Sequence, residues 1–328
     1  MIEVPSKVLQ KLAEKCGIDS ADLAKMSGGR EDSDGIIYRP GTEPILMKVL
    51  ALPISDDTAL GKLVERFRFA RTMGDHGVRL VFPRTTKSGL LYESVVEGDH
   101  TFVVYLMDYI PGANIRQENW RSRFFNDWGR LVGKMHAVTK EYPIWEHATI
   151  KTKSGSKEVF GWQEEWQGFY DWCRDPEVKE SWMSVKERLE QLPINRDCYG
   201  FIHNDPHAEN LIYDGKYLRL IDFDVANCHW FMTDISIALQ MTLFSNSGGI
   251  ERPVHNRRNI SAFMNAFRTG YQHENQLDDF WWGQLDLFVN YRRLLLYTVM
   301  QDWITSNVAA RAHWKDMIRT EPKIMGVK

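Results

Sequence analysis

The chain lacks any long apolar run. Nothing in its 328 residues reaches the ~18 consecutive apolar residues of a membrane-crossing helix. An excess of one charge is missing too. Lys and Arg number 41 against 44 Asp and Glu, a formal net charge of −3, which argues against a nucleic-acid or anionic-membrane footprint. Cysteine is scarce. Cys16, Cys173, Cys198 and Cys228 show neither paired metal spacing nor a small disulfide framework, so they read as reduced structural thiols. The opening Met-Ile-Glu-Val-Pro-Ser lacks the basic-then-apolar layout of a signal peptide, and the expectation is a cytoplasmic protein. No internal repeat or low-complexity tract is visible. The 43% hydrophobic and 26% charged residues are ordinary for a globular chain, long enough for two lobes and a substantial core.

The strongest chemical signal is His203-Asn204-Asp205-Pro206-His207-Ala208-Glu209-Asn210, followed by Ile221-Asp222-Phe223-Asp224. An Asp, an Asn in the same short loop and a later Asp ending an apolar strand are what Mg·ATP phosphoryl transfer needs. One carboxylate orients a hydroxyl nucleophile, a turn presents an amide oxygen to the metal, and a further carboxylate bridges metal and triphosphate. Hard oxygen ligands suit Mg2+. The flanks agree. Tyr199-Gly200-Phe201-Ile202 and Leu211-Ile212-Tyr213 read as short strands, and Asp214-Gly215-Lys216 as a hairpin turn. Leu218 to Phe223 reads as the return strand, which brings Asp222 beside the Asp205/Asn210 loop.

With Trp230-Phe231 and Thr233-Asp234-Ile235 behind them, these motifs resemble the aminoglycoside phosphotransferase and choline kinase family, small-molecule kinases with the protein-kinase fold. Within it they look most like the homoserine-kinase-type and bacterial stress-response-kinase branches. The family's loop reads His-Gly-Asp-Leu-His-Pro-Gly-Asn. This chain keeps His203, Asp205, His207 and Asn210 and departs at Asn204, Pro206, Ala208 and Glu209. Glu209 sets a carboxylate beside Asn210, where the family has glycine. The resemblance implies an α+β, bilobal protein-kinase-like fold. A small N-terminal antiparallel-sheet lobe would span 1–107, a hinge 108–112, and a larger, mainly helical C-terminal lobe 113–328.

It also implies ATP and Mg2+ as cofactors and a small-molecule hydroxyl acceptor: an aminoglycoside, choline or a homoserine-like alcohol. Asp205 would accept or orient the acceptor's proton, and Asn210 and Asp222 would hold the metal. Asp224 would serve a second metal or steady the loop. His203 reads as structural. Asp234 reads first as a helix N-cap, and the resemblance adds a brace for the catalytic loop. Other classes stay open: a protein Ser/Thr kinase of the stress-response type, and a non-catalytic kinase-fold binding module. His203 and His207, spaced i, i+4, also admit a metallohydrolase, although that leaves Lys48 unexplained.

Upstream, Ser6 to Lys15 reads as a helix. Ser27-Gly28-Gly29-Arg30 is either an ordinary turn or a phosphate-covering loop, since Gly-Gly lets backbone N–H groups approach an anion. The resemblance assigns Ser27, Gly28 and Gly29 to the nucleotide. Gly35 to Arg39 and Pro44 to Leu50 read as strands. Lys48 is the lone charge in the second, and a buried lysine is costly unless paired. The resemblance places it on the α- and β-phosphates, with Glu65 as partner from a helix over Asp57 to Met73. A surface role for Glu65 is the alternative. Residues 80–84 and 90–93 read as a hairpin through Lys87-Ser88-Gly89. The strand Phe102 to Met107 then meets Asp108-Tyr109-Ile110-Pro111-Gly112, a lobe boundary. There the resemblance puts the adenine edge on the backbone of Asp108 and Ile110 and the ring near Met107.

The remainder reads as mostly helical. Phe124, Trp128, Leu131, Val132, Met135 and His136 recur at helical spacing, with His136 a core residue. The aromatic groups at 160–172 and 280–297 read as core rather than a cation cage. Arg252, Arg257 and Arg258 suit either an anionic acceptor or a solvated loop.

Overall fold

The computed structural model describes residues 3–26, 35–41, 43–114, 121–245, 257–320 and 324. The chain divides into two compact units, Met1–Gly112 with Thr149–Lys157, and Ala113–Ala148 with Glu158–Lys328.

In the first unit the order is α1 (Ser6–Cys16), β1 (Leu23–Lys25), β2 (Gly35–Pro40), β3 (Ile45–Pro53), α2 (Ala59–Asp75), β4 (Pro83–Arg84), β5 (Glu93–Glu97) and β6 (His100–Asp108). Gly17, with φ of 77°, turns the chain out of α1. The strands form one antiparallel sheet, β1-β2-β3-β6-β4, with β5 also paired to β6. Side chains alternate between faces along a strand, and both faces of β3 and β6 are covered, which explains their nearly unbroken apolar runs. Met47, Val49, Ala51, Phe102, Val104 and Leu106 pack with Val8, Leu12 and Ala13 of α1. Leu50, Val103 and Tyr105 pack with Leu63 and Phe67 of α2. Lys48 stands opposite Tyr105 in register, on the α2 side.

Residues 80–84 and 90–93 do not pair with each other. β4 and β5 each pair with β6, and between them Thr86 and Gly89 form a tight turn. The hairpin is instead β5–β6, in which Glu97 faces His100 and Gly98, with φ of 61°, supplies the left-handed residue such a two-residue loop requires.

The second unit runs β7 (Ala113–Asn114), α3 (Ser122–Thr139), the hairpin β8 (Ala148–Thr152) and β9 (Gly155–Val159), whose Thr149–Lys157 segment groups with the first unit, then α4 (Trp162–Trp172), α5 (Pro176–Leu189) and β10 (Tyr199–Ile202). β11 (Leu211–Tyr213), β12 (Leu218–Leu220), β13 (Asn227–Trp230), α6 (Phe231–Ser245), α7 (Arg257–Glu274), α8 (Asp279–Gly283), α9 (Leu285–Val299), α10 (Gln301–Ser306) and α11 (Val308–Arg319) complete it. α3 and α7 pack backbone to backbone. A Cβ on Gly129 would lie 2.0 Å from the Phe267 carbonyl oxygen, and one on Gly270 2.0 Å from that of Asn126. Most of the aromatic groups are core, with Trp172 and Phe280 exposed. Trp162, Trp182, Trp230, Trp282 and Trp314 are fully buried. The indole N–H of Trp166 donates to Trp182 O, that of Trp182 to Thr298 Oγ1, and that of Trp230 to Pro193 O. Among the described residues no helix is long and apolar enough to cross a membrane.

Candidate active site

β10 delivers the chain into the loop that carries Asp205, and β11 takes it away. β10 pairs with β13, and β11 with both β12 and β7, so the loop is anchored at each end by a different sheet. The β11–β12 hairpin turns at Gly215, with φ of 92°, and Asp214 accepts from the N–H groups of Lys216 and Tyr217 at 2.9 and 2.8 Å. The return strand is shorter than its apolar pattern suggests. β12 ends at Leu220, one further rung joins Ile221 N–H to Asn210 O at 3.0 Å, and Asp222 then turns to φ of 66°. Pairing stops there because a left-handed residue cannot continue a ladder. Asp222 is exposed and Asp224 half-buried.

Inside the loop the contacts converge on Asp205. The Asn210 amide donates to Asp205 O at 2.9 Å and to its Oδ2 at 3.4 Å. His207 Nε2 lies 3.3 Å from the same Oδ2. Arg292 Nη2, from α9, sits 2.6 Å from Oδ1. Burial works to raise the Asp205 carboxyl, but the Arg292 guanidinium and the His207 hydrogen bond outweigh it and hold the group below the ordinary carboxylate range. Asp205 is therefore ionised at neutral pH, with its side chain 24% exposed.

The two loop histidines are engaged within the protein. His203 Nε2 donates to Ile221 O at 3.0 Å and its Nδ1 accepts from Asp205 N–H at 3.2 Å. His207 Nδ1 accepts from Glu209 N–H at 3.1 Å. Both nitrogens of each ring are thus taken up within the protein, His207 Nε2 by Asp205. The i, i+4 histidine pair on which the metallohydrolase reading rested is therefore engaged by the protein itself.

Beneath the loop lies a buried brace. Asp234 stands inside the first turn of α6, not ahead of it, so it is no N-cap. Its Oδ1 accepts from Asn204 N–H at 2.8 Å, and its Oδ2 from His203 N–H at 3.3 Å and His136 Nε2 at 3.1 Å. His136 is fully buried and takes the Tyr271 hydroxyl on Nδ1 at 2.8 Å. Burial lowers its pKa in spite of Asp234, so the ring is neutral. Asn204 has φ of 65°, where the resembled motif carries glycine. Asn is among the few non-glycine residues that tolerate this region, and here its side chain is anchored by Glu165 and by Val225 O.

Glu165 and Arg292 escaped the sequence reading. Glu165, on α4, accepts from Asn204 Nδ2, from Asn227 Nδ2 at 3.3 Å and from the Tyr291 hydroxyl at 2.9 Å. Burial pushes its carboxyl above the ordinary value, against these donors and the Arg292 charge. The signal was available: Glu165 shares a helical face with Trp162 and Trp166, and Arg292 interrupts an apolar helix as Lys48 interrupts an apolar strand.

In the first unit, Lys48 is 8% exposed, and its stem crosses Gly35, where an added Cβ would meet Lys48 Cε at 2.9 Å and Leu50 Cδ2 at 2.8 Å. Glu65 pairs with Arg68 one turn along α2. Met107 packs at the margin of the α2-side cluster. Asp108 ends β6, exposed, with Arg84 3.2 Å away. Ile110 is half-buried just beyond, after Tyr109 has donated its N–H to Pro44 O at 2.9 Å. Ser27, Gly28, Gly29 and Arg252 lie outside the described residues, as do the side chains of Arg257 and Arg258.

A sheet-bearing unit followed by a mainly helical one, with an Asp–Asn loop tied to an Asp-Phe-Asp segment, defines a phosphotransferase with the protein-kinase-like fold. Residues 56–278 match the model of the phosphotransferase enzyme family, and the chain belongs to that family. It is similar to amicoumacin kinase of Bacillus subtilis (strain 168), 26% identical over 312 residues that cover 92% of this chain and 86% of that protein. Among solved structures it is similar to an amicoumacin kinase in complex with AMP-PNP, Ca2+ and Ami, with a TM-score of 0.79 at 23% identity, covering 95% of this chain and 92% of that one. A microcompartment-associated aminopropanol kinase gives 0.68 at 16%, covering 94% and 95%. A choline kinase of Streptococcus pneumoniae gives 0.58 at 11%, with the same coverage. The chain is thus an enzyme, a phosphotransferase of the kinase type.

Proposed function

We propose that this enzyme transfers the γ-phosphate of ATP, taken as its Mg2+ complex, to a hydroxyl group of a small molecule. Amicoumacin is the first acceptor to test, because two of the relatives act under that name. The observation that carries the reading is the Asp205 carboxylate, ionised and partly exposed, joined to Asn210 in one turn that is bonded to the strand running into Asp222.

In this reading Asp205 takes the hydroxyl hydrogen of the acceptor in a hydrogen bond. It receives the proton as the acceptor oxygen bonds to the γ-phosphorus and the bond to the β–γ bridging oxygen breaks, releasing ADP. Asn210 directs its nitrogen to Asp205 and so keeps its carbonyl oxygen for a cation. With the carboxylates of Asp222 and Asp224 it would supply hard oxygen donors suited to Mg2+. The bound ion would neutralise charge on the β- and γ-phosphates. Lys48 would hold the α- and β-phosphates, with Glu65 as a partner exchangeable with Arg68. Ser27, Gly28 and Gly29 would cover the phosphates, while Met107 and the backbone of Asp108 and Ile110 would meet adenine.

The experiment is Mg2+-dependent transfer of labelled γ-phosphate from ATP to amicoumacin, spectinomycin, choline, aminopropanol, homoserine and a generic protein, with Asp205→Asn as control. Label in one small molecule, absent from the mutant, is the expected result. Label in the protein alone would contradict the small-molecule reading, and nucleotide binding without any transfer would favour a binding module.

A further inference from the structure

Two residues of the catalytic loop and two of α9 are joined in parallel. Asn204 reaches Tyr291 through Glu165, which accepts from both side chains. Asp205, the next residue, meets Arg292, the next residue on α9, directly at 2.6 Å. The two links form a ladder that fixes the loop to one helix. α9 is itself immobilised on either side of Arg292. Tyr291 is buried beside Trp182, and Arg293 is 1% exposed and donates from Nη1 to Met317 O at 2.9 Å.

The Arg292 side chain is 12% exposed, a burial that a guanidinium sustains only with a partner. Its single nitrogen on Oδ1 leaves the carboxylate free lone pairs, since two carboxylate oxygens offer about four acceptor sites. On the other oxygen, the contacts from His207 and Asn210 are long, at 3.3 and 3.4 Å. Without Arg292 the carboxylate could turn about its last torsion, which is broad for Asp. With it, one oxygen is pinned and the plane of the group is set.

We propose that Arg292 is a positioning residue for phosphoryl transfer: it fixes one Asp205 oxygen so that the acceptor hydroxyl meets the carboxylate in a single orientation. The inference rests on the reading of Asp205 as the group that orients the acceptor. Arg292 acts through Asp205 and takes no bond to nucleotide or acceptor. A lysine at this site keeps the charge but loses the planar fork, so it restores the function in part.

Two measurements test this. The first is the crystal structure of Arg292→Gln beside that of the wild type, both without nucleotide. The second is steady-state kinetics of the wild type, Arg292→Gln and Arg292→Lys with Mg·ATP and amicoumacin, alongside thermal melts. The expected result is a Gln variant whose Asp205 carboxylate has turned away from α9, with kcat lower by roughly tenfold to a hundredfold. Its KM for ATP stays unchanged, and the Lys variant falls between. An Asp205 that keeps its orientation in Arg292→Gln overturns the inference, whatever the activity. A turned carboxylate with undiminished kcat, or a loss carried by KM for ATP, overturns it as well. A wild type that phosphorylates no hydroxyl compound refutes the kinase reading instead, and the two structures still decide whether Arg292 orients Asp205.

Discussion

Asn204 carries more of the geometry of the loop that holds Asp205 than its position suggests. Its φ of 65° costs a side-chain-bearing residue roughly 1–2 kcal/mol, and its amide bonds to Glu165 and Val225 O offset that cost. Asn204→Ala keeps the strain and discards the bonds, so it should destabilise by about 2 kcal/mol or more. Asn204→Gly discards the bonds without the strain and should lose less. Urea denaturation of both variants measures the difference, and equal losses would show that the backbone angle is not the source. The buried thiols belong to the same scale. Burial pushes Cys16 up to about 12 and Cys198 to about 11, and all four cysteines are free and buried. A thiol reagent at pH 8 should therefore find the native protein slow to react, and all four groups should react together on unfolding.

Between elements, the sharpest constraint is the glycine contact of α3 with α7. The atoms opposite Gly129 belong to backbone, which cannot rotate aside as a side chain does. Gly129→Ala should force the helices apart at a cost of about 3 kcal/mol. Gly168→Ala on α4, where a Cβ meets nothing within 4 Å, should be neutral or gain up to ~1 kcal/mol. Thermal melts of the pair compare the two cases directly. Much of this architecture was legible in the chain. α3 follows from periodicity and β10 from its short apolar run, and the spacing of the motifs anticipated that Asn210 bonds to Asp205 and that the chain entering Asp222 lies beside them. The β5–β6 hairpin was not, because Gly98-Asp99 is a short turn signal beside the longer Lys87-Ser88-Gly89. Asp234 was misread as a cap because N-cap and first-turn acids differ by a few residues in sequence but bond to different partners. Glu165 and Arg292 were invisible as a pair. They lie far apart along the chain, and only the folded core brings them both to the loop.

At the scale of the whole molecule, stability should carry a histidine signature. His229 is fully buried, and burial lowers its pKa to about 3, while an unfolded histidine takes up its proton near ~6.5. Between these values the unfolded chain binds more protons, so stability rises with pH. The contribution is complete above the unfolded value and is lost as pH falls through it towards 3. Melting temperature should thus drop from pH 7.5 to 5.5, and His229→Phe should flatten that dependence. An unchanged slope in the variant would mean that His229 is protonated without cost. The family match spans residues 56–278, whereas Lys48 and Arg292 fall outside it, so the account depends on the chain beyond its best-matched part.

The most direct test of that account compares two single substitutions in this chain, reading nucleotide binding and transfer together. Titrating ATP with and without Mg2+ into Asp205→Asn and Asp222→Asn separates the role proposed for Asp205, orienting the acceptor, from that proposed for Asp222, holding the metal. The account predicts that both variants lose transfer, that Asp205→Asn binds Mg·ATP as the wild type does, and that Asp222→Asn loses the Mg2+-dependent part of binding. Normal turnover in Asp205→Asn, or Mg2+-dependent binding undiminished in Asp222→Asn, would contradict it.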